Sequence, residues 1–302
     1  MASDKSGRIS QRGIVLGLAV CAVVFILCYF AVVNTPWGHA LDDGASLGRK
    51  MLNPKIVTLN ARVLDLVTGG AVLAAAGILL LIAIARRCTL IGVIAVTGFG
   101  SAVVGAEIFK ETLPWRTLIR EDRFLEITLR VASYPSGHAT IGTAFALGLL
   151  LVSSARWRPW LGIAAGGLSS LFSAGVLFAG WHRPSDAIGA LAWSGCCMNL
   201  AALIAIRLRG HSSIPIANAE HAVFGSIGFG ILVVAGSWLA ASTVGPGHLH
   251  VILPFFASMN LVIATAFLLT AWYSWQLRAV DWTTGTTAKA GGRKTATAVQ
   301  NG

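Results

Sequence analysis

The sequence predicts an all-α protein whose helices cross a membrane several times. Hydrophobic residues make up 55% of its 302 residues and charged residues only 12%, about half the charged fraction of a soluble domain. Mean hydropathy is +0.73, and the apolar residues form long blocks instead of alternating with polar residues. Because lipid offers the backbone no hydrogen-bond partner, these blocks are predicted to be helices and not barrel strands.

Eight apolar blocks have the length that a membrane-spanning helix needs, about 20 residues. They are Gly13–Val33, Leu66–Ala85, Cys88–Lys110, His138–Ala155, Trp160–Trp181, Ala187–Ile206, Ala222–Val244 and Val251–Leu277. The first block is expected to be a spanning helix, since it is longer than the core of a cleaved signal peptide and no small-residue cleavage site follows it. Residues 278–302, rich in Thr, Ala and Gly, are predicted to form a disordered cytoplasmic tail.

The basic residues predict how the chain is oriented. With the N-terminus inside, more than half of the 23 Lys and Arg residues fall in cytoplasmic segments, among them Arg86-Arg87 and Arg156/Arg158. Cytoplasmic loops carry an excess of such residues, so both termini are predicted to be cytoplasmic. The net charge of +11 is explained by these loops and by attraction to anionic lipid, and no nucleic-acid partner is expected.

Polar residues gather at the ends of three of the blocks. The third block ends at Lys110, the fourth begins around Pro135-Ser136-Gly137-His138, and the fifth ends at Trp181-His182, before Arg183-Pro184-Ser185-Asp186. Because consecutive spans run antiparallel, these three clusters are predicted to meet at one face of the membrane, the outer one in the orientation above.

Part of this set suits the binding of a phosphate group. Ser136 and Gly137 at a helix start offer a hydroxyl and free backbone N–H groups in the positive field of the helix end. Lys110 and Arg116 add cationic donors, and a guanidinium matches the geometry of phosphate oxygens. Glu107 precedes Lys110 by three residues, so the two are expected to form an ion pair on one helix face.

The remaining residues suit nucleophilic catalysis. Asp186 follows His182 by four residues, and Pro184 starts a helix between them. The carboxylate is therefore expected to reach one imidazole nitrogen and to leave the other free to attack. His138 is the candidate that protonates the leaving oxygen. Together these groups predict a phosphoryl-transfer site.

The motifs resemble those of the type-2 phosphatidic-acid phosphatase superfamily, whose members are related to the bacterial acid phosphatases and vanadium haloperoxidases. The family motifs are Lys-x6-Arg-Pro, Pro-Ser-Gly-His and Ser-Arg-x5-His-x3-Asp. Here the second motif is intact at Pro135–His138, and the third keeps its core as His182-x3-Asp186. The resemblance covers roughly Cys88 to Arg207.

The resemblance implies a role for each residue. His182 would attack phosphorus to form a phosphohistidine, Asp186 would orient it, and His138 would protonate the leaving group. The phosphoryl oxygens would be held by Lys110, Arg116, Ser136 and Gly137. No metal ion or other cofactor is expected. The implied phosphatase-like core of six helices is assigned to residues 1–210, and residues 211–277 add two helices.

The sequence departs from the family pattern at two places. The first motif is one residue shorter, as Lys110-x5-Arg116, and Thr117 replaces the proline. Gly175-Val176 stands where the third motif has Ser-Arg, so a phosphate-binding arginine is missing. Losing one such contact to the transition state lowers the rate by a factor on the order of 10²–10³. The candidate replacements are Arg183, Arg120 and Arg123.

The expected function is hydrolysis of a phosphate monoester or pyrophosphate of a lipid at the outer leaflet of the cell (inner) membrane, with the site facing the periplasm or exterior. Phosphatidic-acid-like lipids and polyprenyl pyrophosphates both remain open as substrates. One alternative is transfer of the phosphoryl group from His182 to an alcohol acceptor. The other is a catalytically lapsed protein that binds or transports an anionic lipid. The lack of an internal repeat argues against a transporter built from two related halves.

Overall fold

The computed structural model of the chain describes residues 5–113, 133–209, 212–213, 219–242, 249–278 and 280–282. These residues form ten α-helices, which are α1 (Lys5–Leu27), α2 (Pro36–Leu47), α3 (Pro54–Asp65), α4 (Gly69–Ala85), α5 (Thr89–Thr112), α6 (Gly137–Val152), α7 (Arg158–Ala179), α8 (Pro184–Arg209), α9 (Ala219–Ser242) and α10 (Leu249–Leu277). A π-helix (Cys28–Val33) continues α1, and a 3₁₀ helix (Gly48–Met51) follows α2. The two-residue strands β1 (Ser212–Ser213) and β2 (Val280–Asp281) pair antiparallel. The predicted all-α class is confirmed.

Among the described residues, five helical segments are long and apolar enough to cross a membrane. They are Gln11–Val33, Thr89–Thr112, Arg158–Ala179, Pro184–Arg209 and His250–Leu277. A sixth span results if α3 and α4, which meet at a bend of 63°, are counted as one. Two further predicted blocks contain shorter apolar helices, Gly137–Val152 and, within the described residues, Ile227–Gly236. The chain is therefore a polytopic helical membrane protein with five to six candidate spans in the part that the structure describes, and the count of eight stays a prediction.

The second predicted block, Leu66–Ala85, begins too early. Helix α4 starts at Gly69, because the side chain of Thr68 accepts a hydrogen bond from the Ala71 N–H group and so caps the helix. Leu66 instead closes α3. The chain bends between these two helices, and its apolar composition gave no sign of the break.

Hydropathy did not predict α2 and α3, which lie between the first two blocks. Thr35 caps α2 by accepting the Gly38 N–H group at 3.0 Å, and Asn53 caps α3 by accepting the Lys55 N–H group at 3.0 Å. A proline follows each cap, at a position where its missing N–H group is not needed. Helix α2 packs on α8 and α10, and α3 packs on α7.

Helix α8 lies at the centre of the bundle, where it packs on α1, α5, α6, α7 and α10. It is the most buried of the candidate spans. Helices α5 to α8 follow one another and alternate in direction. The end of α5, the start of α6, the end of α7 and the start of α8 therefore lie at the same end of the bundle.

At the opposite end, Arg158 is fully buried. Its Nε atom donates to Leu150 O at 2.9 Å, its Nη2 atom to Ser153 O at 2.7 Å, and its Nη1 atom to the carbonyl oxygens of Leu277 and Val280. Carbonyl groups at helix ends lack helical donors, so the guanidinium of Arg158 supplies donors to the ends of α6 and α10. Arg158, which the sequence predicts in a cytoplasmic loop, is instead the first residue of α7.

The segment after α10 begins by packing on the helices. Val280 and Trp282 are each 1% exposed, and the Trp282 indole donates to Leu151 O at 2.8 Å. The start of the segment that was predicted to be a disordered tail is thus held against α6. Residues 283–302 lie outside the described part of the chain.

Candidate active site

The turn between α7 and α8 holds His182. Helix α7 ends at Ala179, and Gly180 follows with a φ of +74°, a left-handed conformation that glycine adopts without strain. Pro184 then starts α8, a position that suits proline. The chain turns at Trp181-His182 and leaves the His182 side chain 13% exposed at this end of the bundle.

Asp186 is buried next to His182, in the first turn of α8. Its Oδ2 atom lies 3.4 Å from His182 Nδ1 and accepts the Arg183 backbone N–H group at 3.1 Å. The carboxylate has no exposed surface. The carboxylate contacts Nδ1 of His182. The other imidazole nitrogen, Nε2, is therefore not used by Asp186 and can contact a substrate.

The start of α6 is joined to the start of α8. The Ser136 N–H group donates to Asp186 O at 3.0 Å, and Ser136 Oγ caps α6 by accepting the Ala139 N–H group at 3.5 Å. By the geometry of a helix start, the N–H groups of Gly137 and His138 have no acceptor within the helix. The segment thus brings backbone donors close to Asp186.

His138 lies beside the same turn. The centroid of its ring is 5.2 Å from that of the Trp181 ring, with 58° between the two planes, and Trp181 adjoins His182. His138 is within electrostatic range of His182, Lys110, Asp65 and Glu107. The structure therefore brings both predicted catalytic histidines to one place.

Lys110, on the last turn of α5, lies against the start of α6. Its Nζ atom donates to Glu107 Oε1 at 2.7 Å, so the expected ion pair is confirmed. A Cβ atom built on Gly137 would lie 2.9 Å from Lys110 Nζ and 3.0 Å from Glu107 Oε1. The absence of a side chain at position 137 lets the ammonium approach α6 this closely.

Residues 86–209 match the family model of the PAP2 superfamily. The chain contains a PAP2 superfamily domain. The matched segment runs from just before α5 to the end of α8 and so includes Lys110, Ser136, Gly137 and both catalytic histidine candidates. A domain of this superfamily implies a phosphatase-like activity. The chain matches no curated protein and no solved structure.

Residues outside the PAP2 domain complete this end of the bundle. On α2, Asp42 accepts the Ser185 N–H group at 3.2 Å and the Ser185 hydroxyl at 2.5 Å. The next residue, Asp43, accepts a hydrogen bond from Arg183 Nε at 2.7 Å. Neither aspartate is among the site residues that the sequence predicts. Their one signal was an acidic pair in a chain with only 12 acidic residues.

Arg49, on the 3₁₀ helix, contacts the end of α7, just before the turn that holds His182. Its Nη1 atom donates to Ala179 O at 3.3 Å, and a Cβ atom built on Gly180 would lie 2.3 Å from Arg49 Cζ. We call residues 36–51 the α2–3₁₀ segment. It contacts the PAP2 domain on both sides of His182, and none of it was among the predicted site residues.

The predicted cationic phosphate ligands differ in where the structure places them. Arg183 faces Asp43, its side chain is 5% exposed, and the two residues are 140 positions apart in sequence. Arg116 and the alternatives Arg120 and Arg123 lie outside the described residues.

Within the described residues, no group of three or more His, Cys, Asp or Glu side chains is placed to hold a metal ion.

Proposed function

We propose that this protein is a lipid phosphatase that hydrolyses a phosphate monoester or pyrophosphate of a lipid through a phosphohistidine on His182. The observation that carries the proposal is the contact between a partly exposed imidazole and a buried carboxylate, 3.4 Å from His182 Nδ1 to Asp186 Oδ2. Its position within a PAP2 superfamily domain supports a phosphatase over other uses of such a pair.

In the first step, His182 Nε2 attacks the phosphorus atom. The bond from phosphorus to the leaving lipid alcohol, or to the leaving phosphate of a pyrophosphate, breaks, and His138 donates a proton to the leaving oxygen. The imidazole of His182 gains positive charge, and its Nδ1–H group donates to Asp186. Because this carboxylate is buried, water screens the stabilising interaction only weakly.

In the second step, a water molecule attacks the phosphorus of the phosphohistidine. The N–P bond breaks, inorganic phosphate leaves, and His138 accepts a proton from the attacking water. Both histidines thereby return to their starting states. The proximity of His138 to Trp181 and His182 supports its use in both steps.

The phosphoryl oxygens are assigned to donors at the junction of α5 and α6. These are the Lys110 ammonium, the Ser136 hydroxyl and the Gly137 N–H group, all within the positive field of a helix start. Arg116 is assigned the same role from its place in the first motif. The Arg183 side chain is ion-paired with Asp43 and only 5% exposed, whereas that of Lys110 is 19% exposed. We therefore assign Arg183 to positioning, since its pair with Asp43 ties the turn that carries His182 to α2.

A groove beside α7 supports a lipid substrate. Its volume is about 380 Å³, and it is lined by Asn60, Gly167, Ser170, Leu171, Ala174, Gly175, Phe178, Phe229, Val233, Met259, Ile263 and Phe267. Along α7 it extends from Gly167 to Phe178, roughly 16 Å at helical rise. It ends four residues before His182. This apolar lining suits a hydrocarbon chain whose phosphate lies at the turn.

Helices α9 and α10 form one wall of this groove, although both lie outside the PAP2 domain. We therefore assign α9 and α10 a role in holding the lipid tail.

With both termini in the cytoplasm, as the basic residues predict, the site faces the outer leaflet of the cell membrane. A phosphatidic-acid-like lipid and a polyprenyl pyrophosphate both meet these requirements.

The proposal is tested by phosphate release in mixed micelles that contain a chelator. Phosphatidic acid and a polyprenyl pyrophosphate are supplied in turn to wild type, His182→Ala and, as control, His250→Ala, which removes an exposed histidine at the start of α10. We expect release by wild type and the control and none by His182→Ala. The preferred lipid identifies the substrate class. Release that survives in His182→Ala, or no release by folded wild type, contradicts the proposal.

A further inference from the structure

The cations around the site differ in their partners. Lys110 pairs with Glu107 and Arg183 pairs with Asp43, each at 2.7 Å. Each pair is neutral as a whole, whereas a phosphate monoester carries about two negative charges at neutral pH. These two pairs alone leave most of that charge uncompensated.

Arg49 is different, because its polar contact within the described residues is with a neutral group. Its Nη1 atom donates to Ala179 O at 3.3 Å, which is long for a hydrogen bond of this type. A guanidinium has five N–H donors, so most of them are available to a ligand. The side chain is half-buried and forms no salt bridge within the described residues, so it brings a positive charge without an acidic partner there to this end of the bundle.

The guanidinium lies at the turn that carries His182. A Cβ atom on Gly180 would be 2.3 Å from both Cζ and Nε of Arg49, so the guanidinium rests on the Gly180 Cα atom. Since consecutive Cα atoms are about 3.8 Å apart, Arg49 Cζ lies within roughly 11 Å of the His182 Cα atom. The imidazole side chain and a phosphoryl group on it together span several ångströms, so this limit allows the guanidinium to reach a phosphoryl oxygen.

Helix α10 fixes the position of Arg49. A Cβ atom on the preceding Gly48 would lie 2.6 Å from Phe255 Cβ and 2.7 Å from Val251 O, so the 3₁₀ helix is pressed onto α10. The 3₁₀ helix and α10 both lie outside the PAP2 domain. They hold the guanidinium against a turn of that domain.

We propose that Arg49 binds the phosphoryl group of the substrate at His182. It exchanges its long bond to Ala179 O for shorter, charge-assisted bonds to phosphate oxygens. This assignment rests on the proposed function, and the ligand class is the terminal phosphate of a monoester or pyrophosphate. The α2–3₁₀ segment then supplies the phosphate site with a cation that has no acidic partner among the described residues, unlike Lys110 and Arg183 of the PAP2 domain.

Three variants of the full chain test the assignment. They are Arg49→Gln, Arg49→Lys and the matched control Lys50→Gln, which removes the exposed neighbouring charge. One measurement is kcat/KM for phosphatidic acid in mixed micelles. The other is the rise in Tm that inorganic phosphate produces, which reports binding without turnover.

We expect Arg49→Gln to lower kcat/KM by a factor on the order of 10² and to lose the Tm response to phosphate. Arg49→Lys is expected to keep part of both, since an ammonium retains the charge but not the fork of donors. Lys50→Gln is expected to behave as wild type. A folded Arg49→Gln with wild-type kcat/KM and phosphate response overturns the assignment.

A structural role for Arg49 gives a different result. If Arg49 only caps the end of α7, Arg49→Gln lowers Tm without phosphate but leaves the phosphate response unchanged, and the assignment fails. If Arg49→Gln does not fold, the test rests on Arg49→Lys. We then expect inorganic phosphate to raise the Tm of Arg49→Lys several-fold less than that of wild type, and an equal rise overturns the assignment. If wild type responds to phosphate but releases none, the proposed function fails while the Tm data still decide the role of Arg49.

Discussion

Replacing Gly137 by alanine tests whether the close approach of Lys110 to α6 matters for catalysis. The new Cβ atom would lie 2.9 Å from Lys110 Nζ and 3.0 Å from Glu107 Oε1, whereas ordinary contacts begin at 3.4 Å. The ammonium therefore has to retreat by about half an ångström or more. It moves away from the helix start at which the phosphoryl group is proposed to bind.

The size of the effect follows from this displacement. Both crowded atoms are the ends of flexible side chains, so the fold is expected to absorb the change. Alanine also favours a helix over glycine by about 0.5–1 kcal/mol, so Tm is expected to stay the same or to rise slightly. A misplacement of about 1 Å costs roughly 10²-fold in rate. We therefore expect kcat/KM to fall by a factor of roughly 10 to 10².

The assay is phosphate release from phosphatidic acid in mixed micelles, with Tm measured on the same samples. Gly100→Ala is the matched control. Gly100 is also a helical glycine of the PAP2 domain, in α5, and a Cβ atom there would meet nothing within 4 Å. The control is expected to keep wild-type activity. Wild-type kcat/KM in Gly137→Ala, or an equal loss in both variants, would refute the role assigned to Lys110.

Three further changes probe the catalytic pair, the groove and the buried cation. Asp186→Asn is expected to lower kcat by a factor on the order of 10⁴, because an amide stabilises the wrong tautomer of His182; a loss below tenfold in single-turnover phosphate release contradicts the pairing. Ala174→Phe fills the groove and is expected to raise KM for long-chain lipid phosphates about tenfold while sparing a short-chain ester; equal effects on both substrates argue against a tail site. Arg158→Met leaves several carbonyl groups without donors, so thermal unfolding in micelles is expected to show a loss of about 3 kcal/mol or more; an unchanged Tm contradicts the capping role.

The parts of the site that could be predicted from sequence are those with local geometry. His182 and Asp186 are four residues apart, and Glu107 and Lys110 are three apart on one helix. A spacing of three places two side chains of one helix on the same face. Pro184 starts α8 between His182 and Asp186, so His182 stays beside the first turn of that helix. Alternation of the spans then sufficed to predict that the ends of α5 to α8 share one end of the bundle.

Contacts between distant segments could not be predicted in this way. Asp43 meets Arg183 across 140 positions, and hydropathy carries no information on which polar segment folds over a site. Thr35-Pro36 and Asn53-Pro54 are helix-start signals that would have located α2 and α3. They would not have shown that α2 docks on the turn of His182.

Arg158 illustrates a second limit of sequence reasoning. A basic residue at the end of an apolar block is equally typical of a cytoplasmic loop and of a guanidinium that binds helix-end carbonyl groups. Which of the two roles a basic residue takes depends on whether helix-end carbonyl groups lie near it in the fold. Here the end of α10 and residue Val280 supply them, and they follow Arg158 by more than 100 residues.

The most direct test of the central claim is to trap the phosphoryl group on the protein. Wild type is mixed with phosphatidic acid that carries radiolabelled phosphate, quenched rapidly in alkali and mapped by peptide. We predict label on the peptide that contains His182, stable in alkali and lost in acid, as an N–P bond requires, and absent from His182→Ala. A wild-type protein that turns over without acquiring label, or a His182→Ala variant that retains it, would contradict the assignment of His182 as the nucleophile.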